Sequence, residues 1–256
     1  MSTAAERAAP SVAGIERVSS AATARSAAMR AFLLLAGLGV ALLVRVLTAE
    51  LSGSPVATSR PAGALFAVLI TGVAAAPKLL GRASAAIPWP PSVPQHPATP
   101  LSTGRLRTGR LKTGRLRTGR LRTLAVWSVV GSGVLVAGPV IARLAHADLR
   151  TQALAALGFN GFWSWAALVG VIATAEELLV RGTLYRACEE AFGTLAAIVV
   201  SALTFALIHI PLYGLGALPV DLAVGLWLSG LRAASGSVLP AIAGHAIADW
   251  AAWWLT

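Results

Sequence analysis

The sequence predicts an all-α fold, a polytopic transmembrane helical bundle of about seven spans carrying a proline-rich and basic-repeat linker. Hydrophobic residues make up 56% of the 256 residues and charged residues only 12%, against roughly 25% charged in an ordinary soluble domain. Apolar stretches close to the ~20 residues needed to cross a bilayer core recur along the chain. The formal charge of +11 is local: the segment from Thr103 to Arg122 holds eight basic and no acidic residues, which leaves 11 − 8 = +3 elsewhere.

Residues 1–28 read as a polar arm containing Arg7, Arg17 and Arg25. The first span runs from about Met29 to Leu47, with AFLLLAGLGVALLV bracketed by Arg30 and Arg45, both read as snorkelling to the headgroups. No small-residue cleavage site follows convincingly, so the span is expected to be retained. A second span, about Ala62 to Leu80, is weakened by Pro77 and Lys78 and completes a 29–81 unit.

Residues 82–123 form a linker with six prolines between Pro88 and Pro100, followed by TGRLR, TGRLK, TGRLR and TGRLR in tandem. One leucine per pentad is too little apolar surface for a solenoid core. The strip 103–122 suits a solvated spacer or contact with anionic lipid, worth about 1 kcal/mol per basic residue near the surface. No aromatic residue interleaves the arginines, so no nucleic-acid partner is expected. Cytoplasmic loops carry excess Lys and Arg, so the repeat and the N-terminus are both expected inside, in the plasma membrane of a prokaryotic cell.

Residues 124–256 hold five further spans: Leu124 to Ala142, Phe162 to Cys188, Thr194 to Pro211, Pro219 to Arg232, and Val238 to Leu255. The single cysteine, Cys188, has no partner for a disulfide and reads as a buried small hydrophobe. Trp250, Trp253 and Trp254 read as an interfacial belt, or as a rim bordering substrate entry.

Ionisable residues inside membrane helices cost several kcal/mol and mark function by default. TAEELLVRGTLYR contains Glu176, Glu177 and Arg181. Glu177 and Arg181, four apart with the carboxylate first, are placed to pair. Glu176, rotated about 100° from its neighbour, is left to face elsewhere. In TFALIH, Phe205 and His209 share a helical face. A reversal near Phe192 and Gly193 puts Glu176 and His209 about 24 and 25 Å from the turn, at matching depth. In GHAIADW, His245 and Asp249 share a face about 14 and 20 Å from a turn near Gly236.

Two carboxylates and two imidazoles on converging helices are enough for hydrolytic chemistry. Glu176 can take a proton from water oriented by His209, with His245 and Asp249 stabilising an oxyanion. A second route uses zinc, with Glu176, His209 and His245 as ligands and an open position for a metal-bound hydroxide.

EELLVR fits an EExxxR motif, TFALIH an FxxxH motif, and HAIAD a histidine followed four residues later by Asn or Asp. In this order and spacing they resemble the CPBP family of intramembrane proteases, which includes type II CAAX prenyl endopeptidases and bacteriocin-immunity homologues. The resemblance, from about Gly161 to Trp254, implies an endopeptidase acting on a membrane-associated protein or peptide. It implies Glu176 as general base, His209 as its partner, Glu177, Arg181 and Phe205 in support, and His245 with Asp249 completing the site. Asp249 stands where the family often has Asn, and an ionised aspartate cannot donate to an oxyanion.

HExxH, GxGD and GxSG are absent, which sets aside zincin-like, aspartyl and rhomboid-like proteases; WLSGL, around Ser229, lacks the leading glycine. A non-catalytic peptide-binding or immunity protein can use the same pocket. A proton-coupled transporter would relay through Glu176, His209 and Asp221. Asp221, two residues after Pro219, discriminates: a relay wants it deep and facing Glu176, a helix start wants it at the first turn. Nothing in the chain supports prenyl recognition specifically, and its end, WWLT, is not a CaaX sequence.

Overall fold

A computed structural model describes residues 12–56, 59–85, 113–144 and 161–255. They form α1 (Val12–Leu51), α2 (Arg60–Ala85), α3 (Thr113–Leu144), α4 (Phe162–Phe192), α5 (Thr194–Tyr213), α6 (Leu218–Ser235) and α7 (Leu239–Leu255), with no strand among the described residues. Six segments, in α1 to α6, are long and apolar enough to cross a membrane. The seventh predicted span, α7, has 17 residues and reaches about 25 Å.

Two boundaries differ from expectation. The polar arm is helical from Val12, because AATARSAA is built from strong helix formers that run straight into the first span. The linker is helical from Thr113, so the last two pentads extend α3; Arg and Leu favour helix enough to carry a glycine in each repeat. The proline run and the first two pentads lie outside the described residues. Pro77 sits inside α2 without ending it.

Helix α1 buries Ala27, Ala31, Leu34, Leu38, Ala41, Arg45 and Ala49. Steps of three and four residues make these one stripe. The stripe packs with Leu179, Leu184, Tyr185, Ala187 and Cys188 of α4 and with Phe66 and Ile70 of α2. Arg30 forms an ion pair with Glu190 near the far end of α4. The N-terminal part of α1 and the α4–α5 turn therefore share one side of the membrane, as four crossings by α1 to α4 require. Arg45 does not snorkel. It lies six residues inside the end of α1, is 5% exposed, and its guanidinium stacks on the Phe66 ring at 4.8 Å.

The predicted reversal is present at Gly193, whose φ of 85° suits glycine. Within α4 the helix widens to a π turn over Leu178–Leu184. Three carbonyls in that turn accept side-chain hydrogen bonds. Thr183 Oγ1 donates to Leu178 O at 3.1 Å, Ser201 Oγ to Val180 O at 3.4 Å, and Arg232 Nε to Arg181 O at 3.2 Å. Helices α5 and α6 thus grip α4 beside its charged residues.

Small residues bring the helices together, as membrane packing requires. Gly131 of α3 lies against Gly244 of α7 and Leu231 of α6. Gly225 of α6 lies so close to α5 that an added Cβ would sit 2.9 Å from Ala202 O and 3.0 Å from Ala202 Cα. Both obstacles are backbone, so Gly225→Ala is expected to force α5 and α6 apart and cost about 1–3 kcal/mol. The check is thermal unfolding in mild detergent, and a melting temperature matching the wild type would contradict the crossing.

Candidate active site

The charged residues of α4 sit on either side of the point where the π turn begins. Glu177 and Arg181 are both fully buried, with Nη1 donating to Oε1 at 2.6 Å. Arg181 Nη2 also donates to Gly225 O at 3.2 Å, and its guanidinium lies 4.4 Å from the centre of the Phe205 ring. The same Glu177 oxygen accepts from His245 Nδ1 at 3.0 Å. One carboxylate therefore ties α4 to α7, and its cation ties α4 to α6.

Glu176 is 5% exposed, and no side chain among the described residues donates a hydrogen bond to its carboxylate. It is left chemically available, as its 100° offset from Glu177 predicts.

His209 is buried at 8% exposure. Its Nδ1 lies 2.7 Å from Phe205 O. A carbonyl only accepts, so Nδ1 carries the hydrogen and Nε2 of the neutral ring carries the lone pair. Phe205 separates the two imidazoles, 4.3 Å from His209 and 5.3 Å from His245 between ring centres. Tyr213 stacks on the outer face of His209 at 5.8 Å and 15°.

His245 faces a carboxylate at each nitrogen: Nδ1 at Glu177, and Nε2 at 3.5 Å from Asp249 Oδ2. Hydrogens on both nitrogens would make the ring an imidazolium between two anions. The Asp249 contact is long for a hydrogen bond, so Nε2–H is only loosely held.

The predicted residues Glu176, Glu177, Arg181, Phe205, His209, His245 and Asp249 thus meet in one region between α4, α5 and α7. Asp221 lies in the first turn of α6, behind Pro219. It is half-buried, the position expected of a residue at a helix start. Among the described residues, no group of three His, Cys, Asp or Glu side chains has the spacing of a metal site. In the zinc set Glu176, His209 and His245, the last has both nitrogens turned to carboxylates, so the arrangement does not fit three-ligand coordination.

The family model for Type II CAAX prenyl endopeptidase Rce1-like proteins matches residues 158–251. The match covers 94 of the 256 residues, and that stretch is similar to the CPBP/CAAX intramembrane proteases. No curated protein and no solved structure matches the chain. The matched stretch takes in α4 to α6 and most of α7. It contains every site residue named above, while α1, α2 and α3 lie outside the matched stretch.

Sequence reasoning missed four features of the candidate site. The Glu177–His245 bond joins residues 68 apart, and no local spacing announces it. The Gly225 carbonyl and the Tyr213 ring are equally silent in sequence. Arg45 had a signal: the Ala/Leu stripe of α1 passes through it in register. The tryptophans proved to be packing elements. Trp250 Nε1 donates to Ala166 O at 3.0 Å, and Trp253 lies 5.2 Å from Trp165. They close α7 on the start of α4, at the end of the bundle where a belt belongs. The Trp254 ring lies outside the described side chains.

Proposed function

We propose that the chain is an intramembrane endopeptidase in which Glu176 activates water against a peptide bond. The observation carrying this reading is the division of labour between adjacent glutamates: Glu177 is consumed by Arg181 and His245, while buried Glu176 accepts no side-chain hydrogen bond among the described residues.

Water between Glu176 and His209 donates one hydrogen to each. Glu176 takes its proton as the water oxygen bonds to the scissile carbonyl carbon. Negative charge moves to the carbonyl oxygen, where His245 Nε2–H is available to donate. As the intermediate collapses, the C–N bond breaks and the proton on Glu176 passes to the leaving amine. Glu177 holds His245 from behind through Nδ1. Asp249 acts as the counter-charge to His245, which removes the difficulty of asking an ionised aspartate to donate.

The test compares membrane-protein termini by mass spectrometry in native cells carrying the wild type or Glu176→Gln. New termini confined to the wild type are expected, and they identify the substrates. Identical profiles at equal expression would overturn the peptidase reading in favour of peptide binding or immunity. The same preparations decide the metal question: stoichiometric zinc lost in His209→Ala would replace this route with a metal-bound hydroxide.

A further inference from the structure

We propose that Arg45, carried by the first transmembrane helix, is a positioning residue for Glu176, so that α1 is part of the catalytic unit. The proposal deepens the reading of Glu176 as the base and rests on it.

The first observation is register. Arg45 is the one charged member of the α1 stripe that faces α4, all its other members being Ala or Leu. A cation in a lipid-embedded seam is costly unless an anion meets it.

The second is depth. The Arg30–Glu190 pair sets α1 against α4, and the packing of Leu34 to Ala41 on Leu179 to Cys188 sets them side by side. From Arg30 to Arg45 is 15 residues, about 22 Å, and from Glu190 back to Glu176 is 14 residues, about 20 Å once the extra residue of the π turn is allowed for. The guanidinium and the carboxylate arrive at one level.

The third is elimination. Among the described residues, the buried carboxylates are Glu176 and Glu177 and the buried arginines are Arg45 and Arg181. Glu177 and Arg181 are joined at 2.6 Å, which leaves Glu176 and Arg45. Arg45 Nε has no hydrogen-bond partner among the described residues. Stacking on Phe66 fixes the plane of the guanidinium, so the positive charge is held in place while Glu176 exchanges a proton with water.

The experiment uses the full chain in lipid nanodiscs, with variants Arg45→Met, Arg45→Lys, Glu176→Gln and the Arg45→Met/Glu176→Gln double. Melting temperatures form a double-mutant cycle that needs no activity. The double variant is expected to lose less than the sum of the singles, and additive losses would overturn the pairing. Turnover is read on a peptide spanning a cleavage junction from the termini comparison. Arg45→Met is expected to lower kcat on the order of tenfold to a hundredfold with KM within about twofold. Arg45→Lys should recover part of that loss, since it keeps the charge and forfeits the planar fork. Wild-type kcat in Arg45→Met, or a Lys variant no better than Met, would overturn the positioning role. Indistinguishable termini in wild type and Glu176→Gln would instead overturn the peptidase reading, with the thermal cycle still deciding the pair.

Discussion

In purified protein, Glu176→Gln is expected to lower turnover by about 10²–10⁴-fold, the span that one general base contributes. The protein should stay folded. The amide keeps the shape of the side chain, and Glu176 accepts no side-chain hydrogen bond among the described residues, so the helices lose little when the charge goes. What is lost is the ability to take a proton from water. Single-turnover cleavage of a junction peptide is the measurement. A rate within a few fold of the wild type would remove Glu176 from the reaction.

The neighbouring substitution, Glu177→Gln, is expected to do the opposite and attack the fold. Glu177 and Arg181 are both completely buried. Breaking such a pair by removing one partner costs about 3–5 kcal/mol, because the other charge stays behind without compensation. His245 Nδ1 keeps only a neutral amide oxygen in place of the carboxylate, so the hold of α4 on α7 weakens in the same step. Thermal unfolding and gel filtration should show early melting and aggregation in this variant, and a smaller loss in Glu177→Gln/Arg181→Met than the two singles predict. A Glu177→Gln protein that melts with the wild type would mean the pair contributes nothing. Adjacent identical residues thus separate chemistry from stability.

Most of the bundle was legible because its signals are local. Length and hydropathy located the spans, the i,i+4 spacing joined Glu177 to Arg181, and the reversal was readable at Gly193. The misreadings arose where the decisive partner is remote. Arg45 looked like a headgroup anchor because the end of α1 was placed too early; four more residues of helix carry it inside the bundle. The bond from His245 to Glu177 depends on how α7 meets α4, which spacing within either helix does not encode. The basic pentads looked like an unstructured spacer because glycine recurs in them, yet the two next to α3 take helical form from the span that follows.

The π turn at Leu178–Leu184 has a further consequence. It accommodates one residue more than the α turns on either side, so the two halves of α4 are out of phase with each other. Its far half is anchored by Ser201, Arg232 and the α1 seam, so its near half, with both glutamates, is aimed by the extra residue. Deleting one residue here would swing Glu176 and Glu177 about 100° around the axis and draw them about 1.5 Å along it. Neither would then face the helix it now serves. In this stretch the number of residues is itself a specification: substitutions adjust the strength of the chemistry, and a change of length re-aims it.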